Sequence, residues 1–262
     1  MDITTIKYGR LVGIGESSHG TREFQDVRLE IIQHLHSLSP IQVFIEANYI
    51  AIELLKVPGI SRQDYIAKVK RSILFHHLKS DAFCKILWFL QSNHIPYFGV
   101  DMQINKAEPT FNPVVTWIRK YRGQNKDKNL NRSHGMHALI ELLRDPSTRA
   151  IFLAHNYHVS KYTSFPGTKI GFATREGTVT QYDNSRRAFV KRKFDYSKPD
   201  PTITLAPGEK AGEQHLDADN PTIFKSSEKS FLVSGEAVWS DRQLMACDAF
   251  DYVIFIPHTT AL

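Results

Sequence analysis

Ionisable side chains follow the first apolar runs of the chain, and their types suit proton transfer. Glu16 and His19 come just after Leu11–Gly15, and Glu46 comes just after Ile41–Ile45. An imidazole titrates near neutral pH, and a neighbouring carboxylate can fix which ring nitrogen carries the hydrogen. This pattern predicts acid–base chemistry centred on His19.

Later apolar runs end in the same way. Asp101 follows 95–100, and His155 follows 150–154 with His158 after it. Each run has the length and composition of a buried strand. In open α/β sheets, ligands bind in the crevice at the carboxyl ends of the strands. We therefore expect all of these polar residues to meet at one edge of a sheet.

Arg28 adds an independent argument for such a site. It stands four residues after Phe24 and three before Ile31, within the apolar stripe of the first predicted helix. A buried guanidinium needs a partner because a lone buried charge is very costly. Glu16 and Glu46 are the candidate partners. The alternative is that Arg28 extends its charged end to solvent from the edge of the stripe.

Alternating strand and helix patterns predict the fold that would bring these residues together. We predict a single α/β domain over 1–262, with a mostly parallel sheet, helices on both faces and an antiparallel C-terminal extension. Strands are predicted over 11–15, 41–45, 95–100, 150–154, 230–233 and 252–256, and a hairpin over 169–174 and 178–182. Helices are predicted over 21–39, 62–77, 81–92, 114–121 and 136–143, and 183–229 is expected to run over the surface.

The charge distribution restricts the classes of partner. The net charge is +6 over 262 residues, and much of the basic excess lies in 119–132 and 186–198. We interpret both stretches as solubilising loops, with 123–132 mobile, and predict no nucleic-acid partner. No apolar run approaches the length needed to cross a membrane, so no membrane association is predicted.

Cysteine usage and the N-terminus favour a cytoplasmic location. Cys84 and Cys247 are far apart and form no CxxC motif, which predicts no disulfide framework. Residues 1–10 lack the apolar run of a signal peptide. The sequence makes no prediction of the oligomeric state.

Several other motifs give weaker signals. Ser17 is not the centre of a nucleophile elbow, because His19 stands where that motif has glycine. Together with Glu16, Glu46 and Asp101, the pair His155 and His158 could hold a divalent ion, although structural hydrogen bonding at a strand exit explains the pair equally well. Five further histidines are interpreted as surface or packing residues (His76, His77, His134 and His137) or as a site candidate (His258).

Taken together, the ordered motifs resemble the erythromycin esterase family. That family shares a superfamily with haem-binding iron-regulated lipoproteins and Tiki-type metalloproteases. The matching segments occur in order along nearly the whole chain: Gly15–Gly20, then Arg28 nine residues after His19, Phe44–Asn48, Phe98–Gln103, Ala154–Val159 and Phe250–Phe255.

The resemblance implies a hydrolase that cleaves an ester or lactone of a small molecule, such as a macrolide. It implies that His19 activates water and that Glu16 and Glu46 orient His19 or the water. We expect that no cofactor is required, with a divalent metal as a possible addition. Arg28, His155 and His158 would position these groups or stabilise the oxyanion. The expected substrate-binding residues are Asp101, Gln103 and Asn156.

The chain departs from the family between Asp101 and His155. Family members usually carry a long helical segment there that forms part of the substrate cleft, whereas this interval is short. The departure calls a macrolide-sized pocket into question. It leaves two alternatives open: a divalent-metal-dependent hydrolase or peptidase of the same superfamily, and a non-catalytic relative that binds a small molecule.

Overall fold

A mostly parallel sheet carries the residues that form the candidate site. The computed structural model describes residues 1–103, 111–124, 128–183, 188–195, 221–225, 232–234 and 244–262. The strands in these ranges are β1 (Leu11–Ile14), β2 (Ile41–Asn48), β3 (Tyr97–Asp101), β4 (Arg149–Leu153), β5 (Thr168–Asp183), β6 (Ala188–Asp195), β7 (Thr222–Lys225), β8 (Leu232–Ser234), β9 (Leu244–Ala246) and β10 (Tyr252–Thr259).

Helices connect the parallel strands of this sheet. They are α1 (Arg22–Leu38), α2 (Tyr49–Glu53), α3 (Arg62–Arg71), α4 (Asp81–Ser92), α5 (Pro113–Gln124), α6 (Lys128–Leu143) and α7 (Asn156–Val159). Among the helices so described, none is both long enough and apolar enough to cross a lipid bilayer.

The strand order places the predicted site residues on neighbouring strands. In the described part of the chain the order is β3-β2-β4-β1-β5-β10-β7, and β6 pairs with β5. The first six strands are parallel to their neighbours, whereas β7 and β6 pair antiparallel with β10 and β5. The predicted α/β class, with its antiparallel extension, is confirmed.

Alternation along the central strands gives the sheet an apolar surface on each face. Val43 and Ile45 belong to one buried cluster, with the α1 residue Phe24, while Phe44 belongs to the other, with the α6 residue Met136. Successive side chains of a strand point to opposite faces, so β2 is buried between two helical layers. Because helices cover both faces of the sheet, the central strands are continuous apolar runs in the sequence.

The predicted hairpin over 169–174 and 178–182 is wrong. Those residues form one continuous strand, β5, and the hairpin partner is β6, which pairs with residues 176–183. The turn-like sequence Arg175–Gly177 stays extended because β10 also pairs there, with His258 opposite Glu176. Within the stretch 183–229, for which a surface course is predicted, 188–195 and 222–225 form the strands β6 and β7, while 184–187, 196–220 and 226–229 lie outside the described residues.

The interpretation of both basic stretches as loops is also corrected. Residues 128–132 belong to α6 and 188–195 form β6, while 125–127, 184–187 and 196–198 lie outside the described residues. The sequence of 128–132 is mostly polar, so it lacks the run of apolar residues that would predict the start of α6. The helix predicted over 62–77 is corrected as well, because α3 ends at Arg71.

Candidate active site

Glu16 is the centre of a set of residues just past β1, called here the Glu16 network (Glu16, His19, Gln25 and Arg28). Nδ1 of His19 lies 2.6 Å from Oε1 of Glu16, and Nη1 of Arg28 donates to Oε2 at 2.8 Å. Nε2 of Gln25 donates to the same Oε2. Of the two predicted partners, Glu16 is the one that Arg28 contacts.

Arg28 lies beneath the site. Its side chain is only 2% exposed, which rules out the alternative in which it extends to solvent. Nη2 donates to the carbonyl oxygens of Ile14 at 3.0 Å and Ala154 at 2.5 Å. The guanidinium therefore holds the ends of β1 and β4 together and positions Glu16, and it is too deeply buried to contact a substrate.

The Glu16 network sets the protonation of its own members. Burial alone would raise the pKa of Glu16, but the charge of Arg28 and the hydrogen bond with His19 lower it to about 2. Burial also opposes protonation of His19, yet the hydrogen bond and charge of Glu16 raise the pKa of that imidazole above its usual value. The ionised carboxylate accepts the hydrogen on Nδ1, which leaves Nε2 as the basic nitrogen.

The ring of His19 has a neighbour that was interpreted as a surface or packing residue. His77 stacks on it, with ring centroids 4.3 Å apart and planes 13° apart. Burial, followed by the positive charge of His19, lowers the pKa of His77 to about 3. The placement of His77 away from the site is therefore corrected, because α3 ends at Arg71 and the chain turns toward the crevice.

A second set of residues, called here the Glu46 network (Glu46, Asp101, Arg132 and His158), gathers around a guanidinium. Nη2 of Arg132 donates to Oε1 of Glu46 at 2.6 Å, and its Nε donates to Oδ1 of Asp101 at 2.9 Å. Nη1 lies 3.2 Å from Nε2 of His158. One cation, 25% exposed, thus faces two buried carboxylates.

Glu46 and His158 are further fixed by their neighbours. Oγ of Ser133 lies 2.7 Å from Nδ1 of His158. Burial would raise the pKa of Glu46, but the charges of His158 and Arg132 hold it well below the usual carboxyl range. Both nitrogens of His158 are therefore engaged, and Glu46 is ionised at neutral pH.

His155 links the two networks. Its backbone N–H donates to Oε2 of Glu46 at 2.8 Å, and its ring centroid lies 5.1 Å from that of His19. Nδ1 accepts from the backbone N–H of Tyr157 at 3.5 Å, which assigns the ring hydrogen to Nε2. Burial, and then the charge of His19, lower the pKa of His155 to about 3, so its ring is neutral at neutral pH.

Two of the three predicted substrate-binding residues are buried away from any substrate. Asp101 is fully buried against Arg132. Asn156 is also fully buried and exchanges two hydrogen bonds with the backbone of Phe172, at 2.8 and 3.1 Å. Both predictions are corrected to structural roles. Gly15 packs closely against Asn156, because a Cβ at position 15 would collide with Oδ1 of Asn156. Gln103 is exposed, and its substrate contact stays a prediction.

The geometry fits a divalent ion poorly. Glu16, His19 and His77 bring candidate ligand atoms within 4.8 Å of one another. However, an imidazole binds a metal in its own ring plane, and two stacked rings with planes 13° apart share no such point. In the other predicted ligand set, Glu46 and its neighbours already bond to Arg132, which supplies the positive charge that an ion would bring.

The sequence gives no prediction of a site role for four residues that the structure places there: Gln25, His77, Arg132 and Ser133. For Arg132 a signal existed: it lies four residues before Met136 and so falls on the apolar stripe of α6, as Arg28 does on α1. His77 had no such signal, because a ring contact across two loops leaves no period in the sequence.

His137 and His258 lie outside both networks. His137 packs edge-on against Phe152 and Phe165, and its Nε2 lies 2.9 Å from the carbonyl oxygen of His158, which confirms a packing role. His258 is exposed and forms an ion pair with Glu176 at 3.0 Å.

Known structures share this arrangement of strands and helices. No protein-family model matches the sequence, and no curated protein matches it significantly. Erythromycin esterase EreC, solved as a mutant in its open conformation, is similar with a TM-score of 0.58 and 12% identity, over 95% of this chain and 91% of that one. The chain has the erythromycin esterase fold.

Two further structures have the erythromycin esterase fold in common with this chain. A succinoglycan biosynthesis protein matches with a TM-score of 0.59 and 12% identity, over 96% of this chain and 88% of that one. A Bacillus cereus protein matches with a TM-score of 0.59 and 13% identity, over 96% and 89%. The fold expected from the ordered motifs is thereby confirmed.

Proposed function

We propose that the protein is a hydrolase that cleaves an ester or lactone of a small molecule, with His19 activating the attacking water. The observation that supports this most is the 2.6 Å contact between Nδ1 of His19 and Oε1 of Glu16. It leaves Nε2 as the basic nitrogen on a side chain that is 38% exposed. An imidazole held in this way can accept a proton from water.

The chemistry needs no covalent enzyme intermediate. Nε2 of His19 takes a proton from water as the water oxygen attacks the carbonyl carbon, and the C=O electron pair moves onto oxygen. Collapse of this oxyanion restores the C=O bond and breaks the bond to the alkoxy oxygen. The departing alkoxide takes the proton back from His19, so water and ester give acid and alcohol.

His155 is suited to stabilise the oxyanion. Its ring hydrogen is assigned to Nε2, its lowered pKa keeps it neutral at neutral pH, and its ring lies beside that of His19. A donor held in place before the reaction stabilises developing charge without reorganisation. Glu46 fixes His155 through the backbone N–H, while Arg28 fixes Glu16 from below.

The test is a panel of aryl esters and lactones of increasing size. We expect His19→Ala to lower kcat by about 100-fold or more, because a general base contributes at least that much. We expect Glu46→Gln to lower it less, because an amide oxygen can still accept from the backbone of His155. His258→Ala is the matched control and should leave turnover unchanged, since His258 lies outside both networks.

Other outcomes would contradict the proposal. Equal turnover in wild type, His19→Ala and Glu46→Gln would remove His19 from the reaction. Tight retention of a ligand with no turnover of any ester by the wild type would favour a binding protein instead. Stoichiometric metal in protein purified without chelator, lost in His155→Ala, would favour the metal-dependent alternative.

A further inference from the structure

The ring of His19 is covered on one face by a nearly parallel ring. His77 stacks on it with centroids 4.3 Å and planes 13° apart, and the ring of Phe75 is in turn nearly parallel to that of His77, with planes 11° and centroids 6.0 Å apart. The short turn that carries His77 is anchored by the buried side chain of Leu78. The His77 ring therefore belongs to an anchored part of the chain.

The hydrogen bond with Glu16 leaves one freedom to the His19 ring. The covalent bond from Cβ and the contact at Nδ1 hold one edge of the ring, but the ring can still rotate about the line that joins Cβ to Nδ1. Such rotation would swing Nε2 away from the reacting carbonyl. A second ring packed flat against the imidazole blocks the rotation, because parallel faces in contact allow little tilt.

Different groups around His19 make different contacts with its ring. Glu16 supplies the hydrogen-bond acceptor, and His77 is the group that stacks flat on the ring. His155 approaches at 60°, with its centroid farther away at 5.1 Å. The charged and titratable groups that act on His19 are Glu16 from its own loop, Arg28 from α1, Glu46 from β2, His77 from the turn before α4 and His155 after β4.

We infer that His77 is a positioning residue whose ring face holds the His19 imidazole with Nε2 directed toward the substrate. The inference rests on the proposed function of His19. The ring face alone does the work, so another flat ring at position 77 should replace it, whereas a side chain without a ring should not.

The face contact also has a consequence for the titration of His19. The His77 ring keeps water from one side of the imidazole, and removal of water is the largest influence opposing its protonation. His77→Ala admits water there, so the pKa of His19 should rise, and the acid limb of the kcat/KM profile should move to higher pH. His77→Phe keeps the face covered and should leave both values near those of the wild type.

The experiment combines NMR titration of the His19 ring with steady-state kinetics for His77→Ala, His77→Phe and the control His76→Ala. His76 is the exposed neighbour in the same turn. We expect His77→Ala to lower kcat by about tenfold or more with little change in KM, because the base loses its orientation. His77→Phe should stay within about threefold of the wild type for the same reason.

The two readouts separate this inference from the function on which it rests. The NMR titration needs no turnover, so it can support or overturn the ring contact even if no ester is cleaved. Unchanged His19 titration in a folded His77→Ala variant would overturn the inference, and so would a His77→Phe variant as impaired as His77→Ala. Thermal unfolding of each variant shows that the compared proteins are folded.

Discussion

The Glu16 and Glu46 networks each pair a buried carboxylate with a guanidinium, but the two partners lie at very different separations along the sequence. In the first, Arg28 is 12 residues from Glu16, and both come from the segment that runs from the end of β1 into α1. In the second, Arg132 is 86 residues from Glu46 and comes from a helix in another layer. Local pairs of this kind can be predicted from spacing, whereas pairs between layers require knowledge of the topology.

The two guanidinium groups also differ in their access to solvent. Arg28 is 2% exposed and bonds to two backbone carbonyls, while Arg132 is 25% exposed and bonds to side chains of the crevice. Burying a charge makes the loss of its partner expensive. We therefore expect the Glu16 pair to dominate stability and the Glu46 network to affect catalysis more than stability.

Replacement of Arg28 should have the largest effect on stability. Arg28→Met keeps an apolar side chain of similar length but leaves Glu16 ionised and buried, which should cost about 3–5 kcal/mol of unfolding free energy. Urea unfolding followed by circular dichroism measures it. Adding Glu16→Gln should restore part of the loss, because the buried charge is then gone. A loss below about 1 kcal/mol would mean that Glu16 does not depend on Arg28.

Acid should weaken the Glu16 network in a defined window. The pKa of Glu16 is lowered to about 2, so its stabilisation is fully present above the ordinary value of 4.5 and is lost as pH falls toward 2. The shift corresponds to about 3 kcal/mol. Unfolding free energies measured at a series of pH values should show a shallower slope below pH 4.5 in Glu16→Gln, but some slope should remain because Glu46 titrates there too.

His77 and His155 should lower the unfolding free energy at a higher pH than Glu16 does. His77 and His155 have pKa values lowered to about 3, so below the ordinary value of 6.5 the unfolded chain binds protons that the folded chain does not. His19 acts in the opposite sense, and its contribution is lost as pH rises through its raised pKa. A flat unfolding free energy between pH 6.5 and pH 4.5 would contradict the neutral state of these rings.

Replacement of Arg132 should separate stability from catalysis. Arg132→Met leaves Glu46 and Asp101 without their shared cation, and because the site is partly exposed we expect a loss of about 1–3 kcal/mol. Turnover should fall by about 10- to 100-fold, because Glu46 loses the cation that holds it in place against the backbone of His155. Equal stability losses in Arg28→Met and Arg132→Met, with unchanged turnover in the second, would mean that the networks do not differ as proposed.

The smallest effect is expected from a basic residue on α5. Lys120 lies in the same charged stretch of sequence as Arg132 but is exposed. Lys120→Ala should change the unfolding free energy by no more than about 0.5 kcal/mol and leave turnover unchanged. A larger change would show that the basic stretch acts through its total charge and not through Arg132 alone.

The sequence predicts the fold well where local signals and tertiary pairing agree. The first half of the sheet follows from apolar runs that are buried on both faces, and Arg28 follows from its place on a helical stripe. The continuous β5 does not follow, because β10, which is distant in sequence, pairs with Glu176 and Gly177 and keeps this part of the strand extended.

The candidate site was predictable to a similar extent. Glu16, His19, Glu46, His155 and His158 meet as expected because parallel strands end at one edge of the sheet. The centre of the Glu46 network was missed because Arg132 lies in a stretch whose polar composition resembles a loop, although its spacing to Met136 matches the rule that identified Arg28. His77 was missed because a ring stack between two loops has no counterpart in local sequence.

The two carbonyl contacts of Arg28 have a consequence for how this protein can diverge. The Arg28 side chain links the backbone at Ile14 and Ala154 to the carboxylate of Glu16, which in turn contacts His19. Glu16, which contacts Nδ1 of His19, is thus secured by Arg28 from the sheet side of the crevice. We therefore expect side chains at the opening of the crevice to be exchangeable, whereas the Arg28–Glu16 pair underneath should tolerate little change.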